Sequence, residues 1–263
     1  MTHPVASPPE REAGSQTTPG LLSRWNIAAG NFFFRYRNTV FPVAFVLIGL
    51  LLRPRVILGH PALDRILVAC GALIALSGEL MRLTTIGFEY IERGGRQGKV
   101  YASRLVQGGI YSVSRNPMYV GNALIAIGMS MVCGSPAAYL VVIPTFLYIY
   151  QALVSAEEFY LRGRFGREYE AYCARVNRFL PSARSGWGGF AGMRYNWKRA
   201  LRQDLSTLVG LLLSLSLLPL WRTFFLRGFD AAKAEAPWAA ALALLVLLGY
   251  GILHRLKKLQ RLE

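Results

Sequence analysis

Two adjacent carboxylates and one arginine are the side chains whose types and spacing could do chemistry in this chain. Glu157 and Glu158 follow a long apolar segment, where charges without partners are costly. Arg115 precedes Asn116-Pro117, a pair that predicts the start of a helix because Asn is a good N-cap and Pro fits the first turn. Free N–H groups at a helix start beside an arginine suit a carboxylate or phosphate. The alternatives are a plain capped transmembrane helix and carboxylates that simply pair with Arg162.

Six apolar segments predict the elements that position these residues. The chain is 53% hydrophobic over 263 residues, and a membrane span needs roughly 20 apolar residues. We therefore predict an all-α, multi-span transmembrane protein of about six spans. The predicted spans cover residues 39–52, 63–80, 117–133, 136–155, 205–221 and 236–253.

The chain divides into three predicted regions. Residues 1–38 combine a disordered tail with an interfacial helix or a solvated lead-in, and 39–203 form the core. Residues 204–263 form an additional transmembrane hairpin. Its apolar core has no ionisable residue, so we expect it to do no chemistry, but to shape a lipid entrance or support a homodimer. The alternative is an anchor that only adds membrane affinity.

The net charge is +16, and the basic residues lie beside apolar segments. This arrangement favours an anionic membrane surface over nucleic acid as the partner. If both termini are cytoplasmic, most of the 30 lysines and arginines lie inside, as the positive-inside rule requires. This orientation places Arg115 and the segment after residue 155 on one side. The three cysteines and three histidines are scattered, which predicts neither a disulfide framework nor a metal site.

The segment 156–181 predicts an amphipathic helix on that same side. Its large apolar and aromatic residues recur every three or four positions, as on one helix face. Gly163 and Gly166 weaken the helix, and Pro181 ends it. The predicted apolar face consists of Leu161, Phe165, Tyr169, Tyr172 and Val176.

Two motifs in this order, separated by an apolar hairpin, resemble the integral membrane methyltransferases, namely the isoprenylcysteine carboxyl methyltransferases and the phospholipid N-methyltransferases. The resemblance covers roughly residues 63–181. The first motif comprises Gly109, Tyr111, Arg115, Asn116, Pro117, Tyr119 and Gly121. The second comprises Glu157, Glu158, Leu161, Phe165, Gly166, Tyr169, Tyr172, Val176, Arg178, Phe179 and Pro181.

The resemblance implies S-adenosylmethionine as cofactor, in a pocket that the cytoplasmic amphipathic helix closes. Glu157 and Glu158 can take its ammonium group and ribose hydroxyls, and Arg115 can take its carboxylate. Tyr111 and Tyr119 can flank the adenine or the sulfonium. The implied cofactor-binding residues are Gly109, Tyr111, Arg115, Asn116, Pro117, Tyr119, Glu157 and Glu158.

One residue departs from the family pattern. Many members have His where this chain has Asn116, and Asn cannot titrate near neutral pH, so we assign it to binding. Glu158 and Arg178 are the predicted catalytic residues, with Glu158 as the base for an amine acceptor. Arg175 and Arg178 are predicted to hold an anionic lipid head group, or else to anchor the chain at the interface.

These patterns predict methyl transfer to a membrane-embedded lipid or lipidated acceptor by a multi-pass protein, with the bacterial inner membrane as its expected location. The sequence has no Gly-x-Gly-x-x-Gly after a strand, which excludes a soluble Rossmann methyltransferase. The alternatives are a nicotinamide-dependent membrane reductase and a non-enzymatic lipid-binding protein. The adjacent glutamates favour S-adenosylmethionine over a phosphate-rich dinucleotide.

The topology can be tested by cysteine labelling in intact cells, in a variant that lacks the native cysteines. We expect a cysteine at Ser135 to be labelled from outside and one at Gly186 to be protected, because all but a few basic residues then lie inside. External labelling at Gly186 would place the two motifs on opposite sides.

Overall fold

The chain folds as a bundle of long helices. A computed structural model describes residues 20–56, 59–89, 98–181 and 187–258. Within these ranges the chain forms seven α-helices and no sheet, which confirms the all-α prediction. The helices are α1 (Leu21–Leu51), α2 (Pro61–Phe88), α3 (Pro117–Cys133), α4 (Ile143–Phe165), α5 (Arg167–Arg175), α6 (Trp197–Arg227) and α7 (Phe229–Lys258).

Four helical segments of the described chain are long and apolar enough to cross a membrane: Pro61–Phe88, Ala138–Phe165, Trp197–Arg227 and Phe229–Lys258. Three of them contain a predicted span and Ala138–Phe165 overlaps the predicted span 136–155, so the multi-span prediction is confirmed, but the number of six is not. The helix α3 has the predicted bounds and only 17 residues, fewer than the roughly 20 that a span needs.

The N-terminal helix also differs from its prediction. The sequence predicts an interfacial helix that ends near residue 38 and a separate short span, whereas α1 is continuous over 31 residues. The predicted disordered tail comprises the first 20 residues, and all of it except Gly20 lies outside the described residues.

Close packing of α2 against α3 depends on glycines. A Cβ atom added to Gly78 would lie 2.5 Å from the carbonyl oxygen of Gly121, and one added to Gly121 would lie 2.8 Å from that of Gly78. Both distances are too short for a side chain, so only glycine allows the two backbones to approach this closely. Gly121 of the first motif therefore serves to hold α3, and the residues at its start, against α2.

The amphipathic helix predicted over 156–181 is broken. Gly166 has φ +49°, a conformation that glycine adopts readily, and it separates α4 from α5. The helix α5 ends at Arg175, before the predicted stop at Pro181. The predicted apolar face is nevertheless confirmed, because Tyr169, Tyr172 and Val176 form a buried cluster with Leu161 and Phe165.

Two buried ion pairs fasten α6 to α2. Both carboxylate oxygens of Asp64 lie 2.8 Å from Nη2 of Arg222, and Oδ2 of Asp204 lies 3.1 Å from Nε of Arg82. On each helix the two paired residues are 18 positions apart, or about 27 Å along the axis, so the antiparallel helices are joined at both ends. The additional hairpin is thus part of the bundle, with α7 packed on α6.

Breaking the Asp64–Arg222 pair should strongly destabilise the fold. Both side chains are buried, and loss of one partner leaves an uncompensated buried charge, at a cost of about 3–5 kcal/mol. Asp64→Ala should therefore lower the thermal unfolding midpoint of the purified protein far more than Arg227→Ala. Arg227 forms an exposed pair with Glu235, and such pairs contribute about 0–1 kcal/mol. Equal effects of the two variants would contradict a stabilising role of the buried pair.

Candidate functional site

The segment before α3 is held against the segment after α5. The Ser114 hydroxyl is fully buried and donates to the carbonyl oxygen of Phe179 at 2.8 Å. The backbone N–H of Arg115 donates to the carbonyl oxygen of Asn177 at 2.9 Å. These bonds bring the first motif and the end of the second motif together, although they lie far apart in the sequence.

Glu158 lies at the centre of this junction. Its carboxylate oxygens lie 3.0 Å from Nε of Arg178 and 3.6 Å from Nη2 of Arg115, and it accepts a hydrogen bond from Nδ2 of Asn116 at 3.3 Å. The side chain is buried, so one anion is shared by two cations away from water. The cluster therefore keeps an excess positive charge, which favours an anionic group of a ligand nearby.

Asn116 occupies the N-cap position of α3, as the sequence predicts, but its side chain does not cap the helix. Its amide donates instead to Glu158 and, at 3.1 Å, to the carbonyl oxygen of Arg178. Pro117 follows at the first helical position and is fully buried. Asn116 thus orients the carboxylate at the junction.

Glu157 faces a different environment from its neighbour. Its carboxylate accepts a hydrogen bond of 2.6 Å from the hydroxyl of Tyr119 and lines a large cavity that Arg37 of α1 also lines. Successive residues of a helix point about 100° apart, which separates the two glutamates. The sequence predicts cofactor binding for both glutamates and a catalytic role for Glu158 alone, and no motif marks Arg37.

Arg115 is held as a cation by its surroundings. Its guanidinium also donates to Sγ of Cys173. Burial lowers the pKa of Arg115, but the nearby Glu158, Cys173 and Tyr169 raise that pKa above its ordinary value on balance. For the Tyr169 and Tyr172 phenols, burial has the opposite effect and raises the pKa, so both phenols stay neutral at physiological pH.

The first motif also contacts α5 through Tyr111, whose carbonyl oxygen accepts a 2.7 Å hydrogen bond from the Tyr172 hydroxyl. Tyr111 and Tyr119 both line the cavity. Gly109 is buried and has φ +56°, which allows the short turn Gly109–Ser112 to present Tyr111.

The two arginines predicted to bind the substrate lie apart. Arg178 is half-buried in the junction, where its Nη2 donates to Oγ of Ser155 at 3.0 Å. Arg175 is exposed and donates to Oε1 of Gln107 at 3.0 Å, on the outer side of α5. The structure therefore places Arg178, but not Arg175, beside Glu158.

The cavity has a volume of about 1860 Å³ and follows the length of α3, α4 and α6. Its polar end holds Glu157 and a second network that sequence reasoning missed. In that network Arg82 donates to Asn122, to Asp204 and, at 3.1 Å, to Oγ1 of Thr207. The predicted second span ends at residue 80 and leaves Arg82 in the following loop, whereas the structure buries it within α2.

Comparisons with known proteins support the family resemblance that the two sequence motifs indicate. Residues 66–168 match the family model of the phospholipid methyltransferases. The chain is 32% identical over 171 residues to the cobalt-zinc-cadmium resistance protein CzcN of Cupriavidus metallidurans. These residues are 64% of this chain and 72% of that protein. No solved structure matches the chain.

Relatives in plants share a shorter region. A probable protein-S-isoprenylcysteine O-methyltransferase of Oryza sativa is 32% identical over 78 residues, which are 30% of this chain and 41% of that protein. Protein-S-isoprenylcysteine O-methyltransferase B of Arabidopsis thaliana is 26% identical over 116 residues, 42% of this chain and 57% of that protein. The match thus spans about two fifths of the length of the rice relative. The segment 66–168 that matches the family model contains Arg115, Asn116 and Glu158 of the site. This chain belongs to the family of integral membrane methyltransferases that includes the phospholipid and isoprenylcysteine methyltransferases.

Proposed function

We propose that this chain transfers a methyl group from S-adenosylmethionine to a lipid or lipidated acceptor that is embedded in the membrane. The observation that carries the proposal is the position of Glu157, Tyr119 and Arg115 around one end of a cavity that then continues between apolar helices. A polar ligand and an apolar one can therefore meet inside the bundle. Most soluble methyl acceptors would not need the apolar part.

The polar end offers groups that suit each part of S-adenosylmethionine. Glu157 faces the cavity and can hold the ammonium group or the ribose hydroxyls. Arg115 lines the same cavity and belongs to the cluster with excess positive charge, which suits the carboxylate. The tyrosine rings that line this end, Tyr111, Tyr119 and Tyr169, can contact the adenine or the sulfonium by stacking or cation–π interactions.

S-adenosylmethionine supplies a methyl group on a positively charged sulfur, and the protein has to orient that group and exclude water. We assign positioning to Glu158, because Arg115 and Arg178 both lie within ion-pair distance of its carboxylate. For an amine acceptor we assign the role of base to Glu157, the carboxylate that faces the cavity, in place of Glu158. An acceptor that is already anionic needs no base.

We further propose that the site faces the cytoplasm, that both termini lie on that side, and that the protein resides in a bacterial inner membrane. The charge distribution of the sequence supports this orientation. The outward side of α7 carries exposed apolar residues, among them Trp238, Leu245 and Leu248, and can face lipid or a second copy of the chain.

The two glutamates should respond differently to substitution. Glu157→Gln should weaken binding of radiolabelled S-adenosylmethionine at least tenfold without lowering the unfolding midpoint, because it removes a charge that faces the ligand. Glu158→Gln should lower the midpoint, because Arg115 and Arg178 lose their shared anion. Glu170→Gln, on the exposed side of α5, is the matched control and should change neither. Full binding by the Glu157 variant would refute the cofactor assignment, and binding of a nicotinamide cofactor instead would favour a reductase.

The reaction is tested by comparing lipid extracts of cells that carry the wild-type chain, the Glu157→Gln variant or neither. We expect a methylated lipid only with the wild-type chain, identified by mass spectrometry. Identical lipid profiles, together with no methylated lipidated protein, would contradict the proposed function.

A further inference from the structure

One face of α6 forms an open wall of the cavity. Ser206, Gly210, Ser214 and Leu217 lie three or four positions apart, all line the cavity, and all are exposed in the protein alone. Nothing lies within 4 Å of a Cβ atom built on Gly210. This wall lies in a segment long and apolar enough to span a membrane, so the groove is accessible from the bilayer.

The groove changes from polar to apolar along its length. Beyond Asn122, its lining on α3 and α4 is mainly aliphatic, sulfur-containing or aromatic, and its far end is closed by a buried cluster of Leu52, Cys133 and Ala138. From Asn122 to Cys133 there are 11 residues, or about 16 Å along the helix. Half of a hydrocarbon core of about 30 Å has a similar length, so one lipid chain of one leaflet fits this part. Residues of this apolar part are Ile125, Met129, Val142, Phe146, Leu213, Leu218 and Trp221.

The cavity also has cations near the start of α6. Arg202 and Lys257 both line it, and Nζ of Lys257 donates to the carbonyl oxygen of Arg202 at 3.4 Å. In the described ranges no carboxylate lies within ion-pair distance of either side chain, and Glu157 is the only acidic residue in the cavity lining. These cations complement an anionic head group.

We propose that the acceptor is an anionic membrane lipid whose chain lies along the groove face of α6 and whose head group lies at Arg202 and Lys257. An anionic oxygen of that head group would form the new bond to the methyl carbon as the sulfur–methyl bond breaks. S-adenosylhomocysteine would then leave, and no proton would have to be removed. The polarity of the groove, its length and its accessible wall support a lipid, and the two cations select an anionic one. The acceptor role rests on the proposed methyl transfer, whereas lipid binding does not. The groove face of α6 and both head-group cations lie outside the segment 66–168 that matches the family model.

The test uses the full-length protein in detergent and two lipid probes with the same fluorescent acyl chain, phosphatidylglycerol and phosphatidylcholine. Gly210→Trp fills the groove, and Gly251→Trp is its matched control, because Gly251 lies in α7, has equally free space at its Cβ position and does not line the cavity. Lys257→Gln removes a head-group cation, and Lys258→Gln is its control, an exposed neighbour outside the lining. The measurements are the dissociation constants of both probes, S-adenosylmethionine binding and methyl transfer.

We expect Gly210→Trp to weaken binding of both probes at least tenfold and to abolish methyl transfer, while S-adenosylmethionine binding stays intact. Lys257→Gln should weaken phosphatidylglycerol binding about fivefold or more and leave phosphatidylcholine binding unchanged. Both controls should behave as the wild type. Probe binding that Gly210→Trp leaves unchanged, or that inorganic phosphate alone displaces, would overturn the lipid site.

The two proposals fail in different ways. If the wild type binds phosphatidylglycerol in the expected pattern but methylates neither a lipid nor a lipidated protein, the lipid site is supported and the proposed function is overturned. If methyl transfer occurs and Gly210→Trp performs like Gly251→Trp, the proposed function stands and the lipid groove is overturned.

Discussion

The candidate site depends on the ion pairs that the carboxylate of Glu158 forms with two arginines. The carboxylate lies within ion-pair distance of Arg115, before α3, and of Arg178, after α5, so it joins two segments that are distant in the sequence. Because one anion serves two cations, the cluster keeps positive charge at the edge of the cavity. Glu157, one residue earlier on the same helix, lines the cavity. In the proposed function the adjacent glutamates therefore divide structural support and ligand contact between them.

The frame around this site depends on a second pair of interactions. The ion pairs Asp64–Arg222 and Arg82–Asp204 hold α6 against α2. The two pairs are about 27 Å apart along the helix axis, close to the thickness of a bilayer core. This arrangement makes α6 a wall of the cavity and the hairpin part of the bundle. Truncation after Arg202 would leave Asp64 and Arg82 buried without their α6 partners, so loss of function in such a variant would not isolate a catalytic role of the hairpin.

The sequence predicts the periodic features of this protein well. Apolar length identifies the spanning segments and spacing identifies the buried face around Tyr169, because both patterns are local. It does not predict the break at Gly166, since glycine weakens a helix without dictating where the helix ends. It also misses the partners of Arg82 and Arg222, because a charge at the end of an apolar run has the same sequence pattern whether it faces water or a carboxylate on another helix. The unequal roles of Glu157 and Glu158 likewise depend on tertiary contacts.

In the proposed reaction a methyl group moves from S-adenosylmethionine at the polar end of the cavity to a lipid acceptor that lies in the same cavity. The most direct test incubates the purified protein with S-adenosylmethionine that carries a radiolabelled methyl group and with lipid vesicles, and then counts the label in the solvent-extracted lipid. We expect label in the lipid for the wild type and a loss of that label in Glu157→Gln. Label that never enters lipid or a lipidated substrate, although the wild-type protein is folded and binds S-adenosylmethionine, would contradict the proposed reaction.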